Sequence, residues 1–264
     1  MHLVCLNIPP LLLDLWQGHI EIEYNAWEKP EFIVLDTDHR WQEHGKLVES
    51  SSQYLPGFFG RTPRNPSKKI NSGYKACEYQ IYIWVLGSAL FRLVLPPILW
   101  MHYCKLVRAV HIILQRRITP EELSLAHRLL LEWENEYELQ YYQRRADHLN
   151  LVRPCVHSIA HAAMETARCG PLNLVAQWTL ENTIGNLGRE VRQPSNPFSN
   201  LSERGLLRAQ INALTAVSPG MESEPRLPSS SRRFDNGYIL LSATDTCERR
   251  VQDEEETALR KYLL

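Results

Sequence analysis

The stretch "ITPEELSLAHRLLLEWENEYELQYYQRR", residues 118–145, constrains the fold more than any other part of the chain. Thr119 is a good N-cap. Pro120 suits the first helical position, where no backbone N–H is needed, and Glu122 can close a capping box. Behind this start, Leu123, Ala126, Leu130, Trp133, Tyr137 and Tyr141 recur at helical spacing. So long an apolar and aromatic stripe reads as core rather than as a ligand box, and it needs other helices to bury it. The neighbouring sequence supplies them. Residues 78–95 read as one helix, 97–117 as another and 153–168 as a fourth, stopped by Gly170-Pro171.

The rest of the chain is organised around that helical block. Residues 1–75 form an irregular mixed segment: a short apolar helix, then the strand-like "EFIVLD" and the polar "HRWQEHGK". Within it and just beyond, residues 57–77 contain no acid and carry Arg61, Arg64, Lys68, Lys69 and Lys75 among prolines and glycines. Such a loop is either a solvated connector or a phosphate-contacting loop. Residues 171–188 should hold a fifth helix, carrying Glu181, and residues 193–200 a loop. A sixth helix should span residues 201–217, with Ser202 as a possible cap. Residues 218–264 read as linker or disordered tail, with one short strand in "YILLSA" and one short helix in "VQDEEETALRKYLL". The expected fold class is mainly α: a helical domain over residues 76–217 between an irregular N-terminal segment and a flexible tail.

Composition excludes several function classes. The formal net charge is −1, so overall charge points to no particular partner, and any nucleic-acid contact must come from local patches. "IYIWVLGSALFRLVLPPIL" is long enough to span a membrane, but Arg92 sits inside it and Pro96-Pro97 break it. A core helix ending at the prolines is the better reading, and no membrane association is expected. Cys5, Cys77, Cys104, Cys155, Cys169 and Cys247 form no CxxC pair and are widely spaced. They read as reduced, mostly buried thiols of an intracellular protein. No G-x-G-x-x-G, P-loop or G-x-S-x-G occurs, so neither a nucleotide cofactor nor a hydrolase nucleophile is indicated.

Two constellations carry possible chemistry. "HSIAHAAME" places His157, His161 and Glu165 four apart, near one helix face, where two histidines can bind zinc. Ser158 stands where a zincin has its Glu, and histidines bonded to neighbours inside a bundle are the plainer alternative. The second is "QWTLENTIGNLGREVRQPSNPFSNLSERG", in which Trp178, Leu180, Ile184 and Leu187 can face a core and hold Glu181 at its rim. A carboxylate fixed on a rigid helix is what two-metal phosphoryl transfer requires. Arg189, Arg192, Arg204 and Arg208 follow it and can reach phosphates. The plainer alternative is an exposed Glu on an amphipathic helix, followed by solvated arginines.

Several phrases resemble the fungal transposases of CACTA (En/Spm-like) DNA transposons. They are "HLVCLNIPPLLLDLWQG", "YLPGFFGRTPRNPSKKINSGYKACEY", "HYCKLVRAVHIILQRRIT", "YYQRRADHLNLVRPCVHSIAHAAMET", "CGPLNLVAQWTLENTIGNLGREVRQPSNPFSNLSERG" and "GYILLSATD", in order, over nearly the whole chain. The resemblance implies a cut-and-paste enzyme with an RNase H-like core, in which two Asp and a later acid hold Mg²⁺. It also implies DNA as partner and a nuclear location. By that analogy residues 76–170 are the helical insertion and Glu181 is the last acid. Asn182 stands where Arg often follows that acid. The family's "MH" phrase lies inside a longer chain, so the resemblance implies a truncated piece. Its core would be incomplete, its two partner Asp missing, and it would not cut DNA alone. The alternatives are a helical interaction module or homo-oligomer, and a non-functional remnant.

Overall fold

The computed structural model describes residues 2–22, 24, 29–55, 59, 61–191, 195–218, 231–234, 239–240, 253, 256–257 and 260–261. It divides into two units. The first comprises residues 1–52 and 61–225, and the second residues 53–60 and 226–264. The fold is mainly α. In chain order the helices of the first unit are α1 (Ile8–Gln17), α2 (Asp38–Ser51), α3 (Pro66–Lys69), α4 (Ala76–Tyr79) and α5 (Gly87–Leu90). They continue as α6 (Pro97–Ile113), α7 (Pro120–Tyr137), α8 (Pro154–Ala160), α9 (Ala162–Cys169), α10 (Leu172–Val175), α11 (Trp178–Glu190) and α12 (Pro197–Val217). In the second unit β1 (Arg232–Arg233) pairs antiparallel with β2 (Ile239–Leu240), and Asp253, Glu256, Thr257, Arg260 and Lys261 are helical.

The central pair is α6 and α7, the most extensively packed two helices of the chain. α7 begins as its sequence requires. The Thr119 hydroxyl accepts from the Glu122 N–H at 3.2 Å, and the Glu122 carboxylate accepts from the Thr119 N–H at 2.9 Å. Two N-terminal donors that the helix itself leaves open are thereby satisfied. Ala126, Leu130, Trp133, Tyr137 and Tyr141 are all buried, the last in a π-helical extension over Glu138–Tyr142. α6 buries Leu99, Tyr103, Leu106, Val110 and Ile113 at helical spacing, and it packs along α7. His102 joins the contact, stacked on Trp133 at 5.4 Å and bonded to the Trp133 carbonyl at 2.9 Å. Lys105 bridges to Glu132 and Glu136 at the rim.

The helix expected over 78–95 is a helical run with changes of pitch. α4 passes into a π segment over Gln80–Leu86, then α5, then a 3₁₀ turn over Phe91–Leu93. A π turn disrupts the regular carbonyl ladder, and here side chains take up carbonyls. The Tyr103 hydroxyl donates to the Ile83 carbonyl, and His111 Nε2 bonds the Trp84 carbonyl at 2.6 Å. Trp84 Nε1 donates to the Val4 carbonyl at 2.7 Å. At Gly87 a Cβ would collide with the Tyr103 hydroxyl and crowd Phe91, so glycine is what lets this run close on α6. Among the described residues no helix is long and apolar enough to cross a membrane.

The N-terminal segment is more regular than its sequence indicates. α1 follows a π turn over Leu3–Asn7, and all of it except Pro10 and Asp14 is buried. "EFIVLD" is no strand. It is a loop that buries Phe32, Ile33 and Leu35, with the Val34 and Leu35 N–H groups donating to the Trp16 carbonyl at 2.9 and 2.8 Å. The polar stretch after it is α2, capped by Thr37, whose hydroxyl accepts from the Arg40 N–H at 3.3 Å. The boundary drawn at residue 75 therefore does not divide the structure, because α1 and α2 pack into the same core as α6 and α7.

Two helix boundaries also differ. Residues 153–168 are α8 and α9, broken at His161, whose backbone (φ −80, ψ −10) leaves the regular helix. The stop at Gly170 holds, with φ +84. The last long helix begins at Pro197 rather than Leu201, so Ser202 is interior and not a cap.

Two predictions follow from this core. Trp16→Ala should lower unfolding stability by about 3–5 kcal/mol in urea titration. His44 and His102 are buried, and burial holds each imidazole down at about 4. Between their ordinary value of 6.5 and about 4 the unfolded chain binds the extra protons, so stability should decrease as pH is lowered across that window. The loss by pH 5 should be about 1–2 kcal/mol per histidine, and replacing either by Gln should flatten the thermal-stability profile there.

Candidate functional site

The residues singled out in the sequence fall in three separate places. The first is the helical pair α11–α12. α11 starts at Trp178, which with Leu172 of α10 packs half-buried against the core. Beyond these, none of the described residues of α11 or α12 is buried. Glu181 is exposed in the first turn of α11, where a carboxylate is favoured by the helix dipole. Arg189 is exposed near the other end, its Nε donating to the Gly185 carbonyl at 3.3 Å. Arg208 of α12 is committed to Glu190 in an ion pair that ties the two helices together. Arg204 is half-buried. Arg192 lies outside the described residues.

The second place is the basic loop, which is organised around an acid that begins the next helix. The Glu78 side chain has no exposed surface. Arg64 grips it with a fork, Nε to Oε1 at 2.6 Å and Nη2 to Oε2 at 2.8 Å. The Arg64 and Lys75 N–H groups also donate to it, at 3.2 and 2.9 Å, and Arg61 lies 3.7 Å away. Arg64 further donates to the Gly73 carbonyl at 3.0 Å, while the Tyr74 hydroxyl donates to the Arg64 carbonyl. Burial pushes the Glu78 carboxyl up, but the bonds from Arg64 and the two backbone amides, with the charge of Arg61, outweigh it. Its pKa is therefore lowered. Arg64 is thus a loop fastener, and Arg61 leans the same way. Lys68 and Lys69 are exposed in the last turn of the short α3. The sequence signal for Glu78 is its place three residues after Lys75, at a helix start, where an acid caps.

The third place is the histidine pair. His157 Nδ1 meets Glu134 Oε1 of α7 at 2.7 Å, and His157 Nε2 meets His161 Nε2 at 3.0 Å. Glu165 turns instead to Arg168, at 3.2 Å. The third member of the set read from the sequence is thus paired elsewhere, and Glu134 of another helix takes its place.

Asp14, Asp36 and Asp38 line one cleft of about 390 Å³ with His19, Thr37 and Tyr79. Burial raises the Asp14 carboxyl, whereas the hydrogen bond from Lys29 holds Asp36 down. Among the described residues no group of three or more His, Cys, Asp or Glu is arranged to hold a metal ion. The side chains around Glu181 therefore do not fit the Mg²⁺ set that the resemblance implies. The described cysteines, Cys5, Cys77, Cys104, Cys155 and Cys169, are all free. Cys5 alone is fully buried, and burial pushes its thiol up to about 12. Cys247 lies outside the described residues.

Compared with known proteins, the chain matches no family model, no curated protein and no solved structure.

The Glu78 arrangement makes a prediction. A carboxyl held below its ordinary 4.5 contributes stability above that value, and the contribution is lost as pH falls through the lowered one. Acid unfolding below about pH 4.5 should therefore be blunted in Glu78→Gln relative to the parent. Arg64→Ala should lower the melting temperature at pH 7, because it leaves an enclosed carboxylate without its fork.

Proposed function

We propose that this chain is a transposase-derived helical protein that associates with DNA and does not cut it alone. In this reading α11 and α12 are the last helices of an RNase H-like core, residues 76–170 are its helical insertion, and the protein acts in the nucleus. One observation carries the reading. The phrase that most resembles the transposases folds as a helical pair in which none of the described residues is buried, with Leu172 and Trp178 packed half-buried against the core. On that pair Glu181, Arg189 and Arg204 lie on the surface or at its edge. A helical pair left so open is built for contact with something outside the chain. Lys68 and Lys69 add two exposed cations at a separate place.

The test is fluorescence anisotropy with duplex DNA over a range of salt. Binding should be sequence-tolerant and weaken steeply with salt. Arg189→Ala combined with Arg192→Ala should weaken it and reduce the salt slope by about 1–2. Equal affinity and slope in parent and double variant would reject the proposal.

A second reading, self-association, is favoured by a specific feature. Leu180 and Ile184 of α11 and Leu207, Ile211 and Leu214 of α12 are exposed large apolar residues at helical spacing. A face of this kind is what a helical partner, including a second copy, covers. Light scattering should show dimers at micromolar protein that Ile211→Glu converts to monomers. A strictly monomeric parent removes this reading.

A further inference from the structure

The histidine pair is better arranged than a chance surface contact, and it spans the turn at His161. In an unbroken helix residues four apart share a face. Here α8 ends at Ala160 and α9 begins at Ala162. The intervening turn is tightened, with the His161 N–H bonded to the Ser158 carbonyl at 3.3 Å. The two rings stand perpendicular, at 88°, with centroids 4.7 Å apart and their Nε2 atoms converging to 3.0 Å. Two imidazoles bound to one tetrahedral zinc at ~2.0–2.1 Å would have their nitrogens ~3.3 Å apart. The observed separation needs a shift of only a few tenths of an ångström to match.

The tautomer follows from the neighbour. Glu134 accepts, so the neutral His157 carries its proton on Nδ1, and its Nε2 accepts from His161 Nε2, whose proton a metal ion would displace. This is the arrangement by which an outer carboxylate orients a ligating imidazole. It also ties α7 to the α8–α9 junction, since Glu134 belongs to α7, His157 to α8, and His161 is the residue between α8 and α9. Both histidines are exposed, so an ion has access to them.

We propose that His157 and His161, with Glu134 as the orienting carboxylate, form a two-imidazole site for a borderline divalent transition-metal ion such as Zn²⁺. The remaining coordination positions are open to water or to a donor from another molecule. Imidazole donors favour Zn²⁺, Cu²⁺ and Ni²⁺ over Mg²⁺, so this site is separate from the carboxylate chemistry implied for Glu181. Cys155 is not part of it. Two positions before His157 on α8, it points about 200° away around the helix and lines a cleft with Pro10, Leu11 and Arg153.

The experiment is calorimetric titration of the full chain with ZnCl₂ and, separately, MgCl₂, with thermal melting alongside. One Zn²⁺ should bind per chain and raise the melting temperature, and Mg²⁺ should do neither. His157→Ala and His161→Ala should each weaken the Zn²⁺ step at least ~10-fold, and Glu134→Gln about 10-fold with both ligands intact. Glu165→Ala should change nothing. Because both rings are exposed, the alanine variants are expected to fold, and their metal-free melting temperatures check this. No Zn²⁺ step at millimolar metal would overturn the proposal. So would a step that survives His157→Ala unchanged, which would place the metal elsewhere, for instance on cysteine.

Discussion

The fold depends on how one indole is enclosed. Trp16, in the last turn of α1, is fully buried. Its ring lies 4.6 Å from Phe91 and 5.5 Å from Tyr103, edge-on to the latter. Its N–H donates to the Tyr141 hydroxyl at 3.1 Å, and its own carbonyl receives the N–H groups of Val34 and Leu35. One residue thus gathers α1, the loop after it, the 3₁₀ turn beyond α5, α6 and the extension of α7. Burying ~200 Å² of aromatic surface is worth about 5 kcal/mol, against about 1 kcal/mol for the hydrogen bond. Packing supplies the free energy. The hydrogen bond fixes which way the ring turns, and with it the register of α1 against Tyr141. Rings continue outward on both sides, through His44 and Tyr82 in one direction and Tyr137, Trp133 and His102 in the other.

Local signals made part of this legible. α7 was readable because an N-cap, a proline and an aromatic stripe all agreed on one helix. α2 was not. Its buried face consists of His44, Gly45 and Val48, which carry almost no apolar pattern, and its helicity rests on the Thr37 cap and on packing against the aromatic core. "EFIVLD" misleads in the opposite way. Its continuous, partly β-branched apolar run looks like a strand, but Phe32, Ile33 and Leu35 are buried in the core, and the backbone bonds go to Trp16 rather than to a neighbouring strand. The break at His161 leaves no trace in the residue pattern, because histidine and alanine are compatible with an uninterrupted helix.

The same difference between composition and placement governs the charged candidates. An acid-free stretch reads as a cationic surface only when no acid folds onto it. Glu78, one residue beyond that stretch, closes the loop by taking the fork of Arg64. Arg208 is likewise taken by Glu190. Cations fixed this way have already exchanged their hydration for a partner, and a phosphate would have to compete with a carboxylate at short range. The cations best placed to meet a polyanion are therefore Lys68, Lys69 and Arg189, all exposed.

The balance on α11 and α12 decides what this pair can do first. Their described charges are Arg189, Arg204 and Arg208 against Glu181, Glu190 and Glu203. Opposite charges so evenly mixed generate little long-range attraction for DNA. The apolar side is different. Leu180, Ile184, Leu207, Ile211 and Leu214 are each roughly half exposed, and covering them is worth about 1 kcal/mol apiece, more than an exposed ion pair returns. In the proposed reading, therefore, the apolar face supplies most of the free energy of contact and the arginine edge supplies its direction.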